Sequence, residues 1–81
     1  MKRYDEIIKI IEKSKPGAGR IEKTSNLYTD LGFDSLGFVK LLLDIEEKYS
    51  IIFELVEMER CLQLDQLVAL VENKVEESRH D

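Results

Sequence analysis

One cysteine, one histidine, one proline and no tryptophan occur in these 81 residues, and each scarcity removes a class of explanation. A single cysteine, Cys61, closes no internal disulfide, and a single histidine, His80, completes neither a Cys/His metal site nor a catalytic triad. Cys61 lies among apolar neighbours and reads as a small core hydrophobe, while His80 reads as a side chain of the tail. Calcium ligation through Asp30 and Asp34 fails too, because an EF-hand loop needs further oxygen ligands and a closing Glu. No metal site is expected. No charge-free apolar run approaches the about 18 residues of a membrane-spanning helix, and the start Met1-Lys2-Arg3-Tyr4-Asp5-Glu6 leads into no long apolar signal segment. A cytoplasmic chain without membrane attachment is expected.

An excess of basic charge is missing as well. The 12 basic and 17 acidic side chains give −5, spread as +2 over residues 1–33, −2 over 34–53 and −5 over 54–81. A nucleic-acid binder presents a basic face to the phosphates, and here the lysines are scattered near the N-terminus. Basic proteins are the expected partners. Hydrophobic residues make up 43% and charged residues 36%, a composition that folds rather than one that stays disordered. The length allows one domain, residues 1–81, that hides only about 60% of its unfolded surface, which leaves little interior for a closed catalytic cavity. A surface function is favoured.

The apolar residues that are present fall into helical registers. Tyr4, Ile7, Ile8 and Ile11 form one stripe, with Glu6, Lys9, Glu12 and Lys13 facing water, and Ser14-Lys15-Pro16-Gly17-Ala18-Gly19 ends the helix. A connector to about residue 34 follows, with Ile21, Leu27, Tyr28 and Leu31 to pin it; connectors above ~12 to 15 residues without structure of their own are uncommon and tend to be functional. From Ser35 to Tyr49 the residues Phe38, Leu41, Leu42, Ile45 and Tyr49 make a core stripe. Leu36, Val39 and Leu43 make a second line, either a second buried side or a surface for a partner. Ile51-Ile52-Phe53 reads as a loop anchored by Phe53, since no strand exists to pair with it. A short helix near Glu54 to Glu59 and a last helix capped by Asp65 complete the chain, with Leu64 stapling its start and Leu67, Val68, Val71 and Val75 facing inward. Glu72, Asn73, Lys74, Glu76 and Glu77 read as a solvated face. The fold class is all-α, a four-helix bundle with three longer helices, one short third helix and a long first connector.

Leu31-Gly32-Phe33-Asp34-Ser35-Leu36 is the stretch that carries chemistry. Asp34 or Ser35 caps the second helix at about 1 kcal/mol, yet Gly37 stands where a capping box has Glu or Gln, at a cost of about 1 kcal/mol against Ala. The helix start is not optimised for stability. A serine there presents its hydroxyl at the positive end of the helix dipole, a good place for an attached phosphate. A serine hydrolase is excluded by spacing, because a nucleophile elbow needs glycines two residues on either side and position 33 is Phe.

Asp34-Ser35-Leu36, preceded by Leu31-Gly32 and followed by Val39, Leu41, Glu46, Glu47 and Tyr49, closely resembles an acyl carrier protein over the whole length. The resemblance implies a non-catalytic carrier whose Ser35 is esterified by 4′-phosphopantetheine taken from coenzyme A, with acyl groups carried as thioesters on the arm. It further implies that Asp34 helps the phosphopantetheinyl transferase bind its metal and coenzyme. Leu36, Val39 and Leu43, with Glu46 and Glu47, would dock acyl-loading, condensing and modifying enzymes through basic patches. Leu42, Phe53, Met58 and Cys61 would surround an interior able to receive an acyl chain, each having a plain core role beside it.

Gly37 and Lys40 stand where carriers of fatty acid synthesis place acidic residues, and Ile51-Ile52-Phe53-Glu54 lacks their common proline. These departures point toward a polyketide-like or other specialised pathway. Gly after the motif is shared with aminoacyl carriers, including D-alanyl carriers, so an aminoacyl or peptidyl cargo is the alternative. An unmodified helical adaptor that binds a partner helix through its apolar stripe is the rival from another class. A monomer is expected.

Overall fold

The computed structural model describes residues 2–17 and 19–78; the expectation for His80 lies outside the described residues. Among the described residues four helices follow one another, α1 (Lys2–Ser14), α2 (Ser35–Tyr49), α3 (Leu55–Met58) and α4 (Leu64–Ser78). Three are long and one is short. No strand occurs among the described residues, apart from an isolated antiparallel bridge between Asn26 and Gln63.

Each boundary has a local cause. α1 stops at Ser14 ahead of Pro16, and Gly17 and Gly19 turn the chain at φ of +81° and +87°. α2 ends where Ser50 adopts the left-handed conformation, φ 55° and ψ 47°, and its N–H donates to the Glu46 carbonyl. The connector between α1 and α2 is built around Asn26. Its Oδ1 accepts the N–H groups of Tyr28 and Thr29, both at 2.9 Å, while Asp30 Oδ2 accepts the Asn26 N–H at 2.7 Å. Leu27 and Leu31 are buried as expected, Ile21 is half-buried, and the Tyr28 ring meets Phe38 edge-on with centroids 5.2 Å apart.

Two expectations need correction. Asp65 does not cap α4, because it lies inside the first turn and Leu64 opens the helix. The donors that a cap would satisfy are met from the connector, with Leu64 N–H on the Ser25 carbonyl and Asp65 N–H on the Lys23 carbonyl, each at 2.9 Å. Backbone has replaced the side chain in that role. Nor is the polar face of α4 simply solvated: Glu72 accepts from Arg3 Nε at 3.0 Å and Lys74 Nζ lies 2.7 Å from Glu57 Oε1.

The core forms where α1 packs on α2 and α4. Ile7 and Ile11 come from α1, Phe38, Leu41, Leu42 and Ile45 from α2, and Leu64, Leu67, Val68 and Val71 from α4. Tyr4, Ile8, Tyr49 and Val75 are half-buried at its edge. Phe33, which the helical registers did not count, is buried beneath the turn before α2. At the far end of the bundle Tyr49 Oη donates to Glu6 Oε1 at 2.7 Å, with the Arg3 guanidinium 4.8 Å from the tyrosine ring centroid, tying α1 to α2.

Candidate functional site

The turn before α2 sorts its residues by facing. Gly32 takes φ +80°, a conformation that a side chain would strain, and Phe33 then drops into the core with its N–H on the Leu27 carbonyl at 3.0 Å. Asp34 follows in extended conformation as the N-cap. Its Oδ1 accepts the Gly37 N–H at 2.7 Å, and its carbonyl takes the first helical hydrogen bond, from Phe38 N–H at 2.8 Å. Ser35 is therefore the first residue of α2, and it is exposed.

The structure also gives Gly37 a reason to be glycine. A Cβ there would stand 2.9 Å from Asp34 Oδ1 and 3.5 Å from Phe33 Cδ1, crowding the cap. What the site offers chemically is an exposed hydroxyl at the positive end of a 15-residue helix, with a carboxylate beside it.

The second apolar line of α2 faces solvent. Leu36, Val39 and Leu43 are 81%, 42% and 54% exposed, so they are not a second buried side. With Asp34, Gly37 and Lys40 they line a shallow groove of about 410 Å³. Glu47 is exposed and continues the line at i+11 from Leu36. Glu46 is half-buried, and its Oε2 accepts the Phe53 N–H at 2.6 Å and so anchors the loop after α2. Lys40 pairs with Asp44 at 3.3 Å, an exposed i, i+4 pair worth a few tenths of a kcal/mol.

The four interior candidates meet in and against the core. Leu42, Phe53 and Cys61 are buried, and Met58 is half-buried against them. Burial pushes the Cys61 thiol up to about 11, so it stays protonated at neutral pH. A second groove, about 690 Å³, runs between α1 and α2 and is lined among others by Ile10, Lys13, Lys15, Phe33 and Lys48. No helical register pointed to it, because its lining comes from two helices and the turns beside them.

A family model described as "Phosphopantetheine attachment site" matches residues 6–71, well over half of the chain. The chain belongs to that family. Among curated relatives, the "Acyl carrier protein" of Campylobacter jejuni (strain RM1221) is 27% identical over 74 residues, covering 90% of this chain and 96% of the relative. The same-named protein of Campylobacter jejuni subsp. doylei (strain ATCC BAA-1458 / RM4099 / 269.97) is 26% identical over the same share of each.

The acyl carrier family brings with it a covalently attached 4′-phosphopantetheine, and carriers of this kind work with a phosphopantetheinyl transferase and biosynthetic enzymes. The residues here fit such a group. An exposed serine hydroxyl opens a helix whose dipole favours a phosphodiester. No helix among the described residues is long and apolar enough to cross a membrane.

Proposed function

We propose that Ser35 carries the 4′-phosphopantetheine arm and that the protein shuttles acyl intermediates between enzymes of a fatty-acid or polyketide-type pathway, a specialised one. The observation that carries this reading is the exposed Asp34-Ser35-Leu36 at the head of α2, continuous with a solvent-facing apolar line. When attached, the arm supplies a thiol that holds the cargo as a thioester. The chain's own residues do the rest. Asp34 fixes the cap that holds Ser35 outward and supplies the carboxylate that the transferase's metal and coenzyme meet. Leu36, Val39 and Leu43 offer apolar contact for docking enzymes, and Glu47 offers charge to their basic patches. Glu46 adds its charge to the same docking surface while its Oε2 holds the Phe53 N–H. Leu42, Phe53, Met58 and Cys61 form the apolar interior nearest to receive a chain.

The protein is a single non-catalytic domain, cytoplasmic and monomeric on this reading. Docking must be weak and brief, because a shuttle has to leave each enzyme. Gly37 and Lys40 in the groove beside Ser35 support a partner set unlike that of primary fatty acid synthesis. Gly37 also favours the second reading, an aminoacyl, D-alanyl or peptidyl carrier. The test is mass spectrometry of the protein isolated from its own cells, before and after hydroxylamine. A hydroxylamine-labile acyl mass, absent from Ser35→Ala, supports the first reading; an aminoacyl mass moves the assignment to the second. An unmodified Ser35 with a stable partner leaves the adaptor.

A further inference from the structure

The groove of about 690 Å³ between α1 and α2 has a lining opposite in charge to the chain around it. Lys13, Lys15, Lys40 and Lys48 stand there against Asp34, Asp44 and Glu47, a positive excess in a chain of −5. The two helices run antiparallel along it. Tyr49 meets Glu6 at one end, and at the other the Lys15 stem crosses the turn at Gly32, where a Cβ would stand 3.5 Å from Lys15 Cε. From Gly37 to Lys48 the α2 wall rises about 16 Å, about three helical turns.

The carboxylates of the lining are largely engaged and the lysines are not. Asp34 Oδ1 accepts the Gly37 N–H at 2.7 Å, and Asp44 pairs with Lys40 at 3.3 Å. The ion pairs of the described residues use none of Lys13, Lys15 and Lys48, although Lys48 Nζ lies 5.7 Å from the Tyr49 ring centroid. Half-buried Ile10 and buried Phe33 supply apolar lining between these cations. A nucleic acid would gain nothing from that apolar lining and would meet the negative field of the rest of the chain. A segment with apolar side chains on one face and carboxylates on the other matches both features.

We infer that the α1/α2 groove takes an acidic amphipathic helix of about three turns from a partner protein, with its apolar face on Ile10 and Phe33 and its carboxylates on Lys13, Lys15 and Lys48. Asp34, Gly37 and Lys40 line both this groove and the one under Leu36, Val39 and Leu43, so the two surfaces adjoin. A partner seated on that apolar line reaches the lysines without a gap, and its acidic segment fixes which way round it sits. This last step rests on the carrier reading; the preference of the groove for acidic helices does not.

The experiment is a titration of the isotope-labelled apo protein, followed by its backbone amide NMR signals at low salt and repeated on Ser35→Ala, so that it holds whether or not Ser35 is ever modified. The probes are two synthetic helical peptides of about 12 residues, each with a leucine face, whose polar face is glutamate in one and lysine in the other, and a single-stranded DNA of similar length. The glutamate peptide should move the amides of Lys13, Lys15, Gly37 and Lys48. Joint replacement Lys13→Gln and Lys48→Gln should weaken its binding about tenfold, while Lys13→Arg with Lys48→Arg stays within about twofold of native. Lys9→Gln, an exposed α1 site outside the groove, should also stay within about twofold. The amide spectrum of each variant reports that it is folded. Failure of the glutamate peptide to move these amides, equal binding of the lysine peptide, or unchanged affinity in the Lys→Gln variant overturns the inference. So does DNA that binds the same amides as tightly, because the groove would then take any polyanion.

Discussion

Asp34 Oδ1 accepts the N–H of Gly37 at 2.7 Å, and a side chain at position 37 would put its Cβ 2.9 Å from that same oxygen. The cap and the glycine are one arrangement. The carboxylate is held where the first turn needs an acceptor, beside the serine that opens the helix, and the cost is a poor helix former at the third position.

Removing the carboxylate should therefore have two separable effects. Asp34→Ala should lose about 1 kcal/mol in urea unfolding, and Asp34→Asn, which keeps an acceptor, only a few tenths. On the role proposed for Asp34 toward the transferase's metal, both should also slow attachment of the arm. Equal attachment rates for Asn and the native residue would confine Asp34 to capping. Gly37→Ala should gain none of the about 1 kcal/mol that helix propensity alone offers, since the new methyl displaces Asp34; a full gain in the same unfolding experiment contradicts the crowding.

The two apolar lines of α2 should respond oppositely to truncation. Leu42→Ala, in the buried line, should cost about 2 to 5 kcal/mol, whereas Leu36→Ala and Leu43→Ala should stay within about 0.5 kcal/mol of native. The exposed pair should instead weaken turnover by partner enzymes about tenfold or more, as contact residues at an interface do. Transferase kinetics on each folded variant, read beside urea curves, separate the two classes. Raising salt should increase KM without altering the order of the variants.

At the far end of the bundle the Tyr49–Glu6 hydrogen bond predicts losses at both extremes of pH. Burial, then the Glu6 carboxylate, pushes Tyr49 up to about 12 from an ordinary 10.0. The folded state thus holds that proton more firmly than the unfolded one, and the contribution is complete below about pH 10 and disappears as pH climbs toward 12. The Tyr49 hydroxyl lowers Glu6 below its ordinary 4.5, so this half is present above about pH 4.5 and fades as pH falls through the lowered value. Tyr49→Phe should flatten both edges in a series of unfolding curves across pH, and should remove the highest tyrosinate step from an absorbance titration. Curves that superimpose on native ones contradict this.

Much of the fold was legible because it rests on local rules. Pro16 with its glycines ends α1, the stripe from Phe38 to Tyr49 sets α2, and the Asp-Ser pair marks where that helix starts. The exposure of Leu36, Val39 and Leu43 was not decidable from period alone, since a central helix can be buried on two sides. What stayed hidden depends on contacts far apart in sequence. Asp65 looked like a cap because the carbonyls that satisfy α4 come from Lys23 and Ser25, about forty residues earlier. Lys74 looked solvated because Glu57, which draws it in, lies on another helix. The bond from the Phe53 N–H to Glu46 Oε2 stayed hidden too, because the two residues lie on either side of the end of α2 and share no helical register.

Everything proposed for the carrier depends on Ser35 bearing the arm, and intact mass decides that in one step. The native chain and Ser35→Ala are incubated side by side with coenzyme A, magnesium and a broad-specificity phosphopantetheinyl transferase, with an established carrier as the positive control. The native chain should gain one phosphopantetheinyl group and the variant none. No gain on the native chain while the control is converted, or an equal gain on Ser35→Ala, would contradict the assignment.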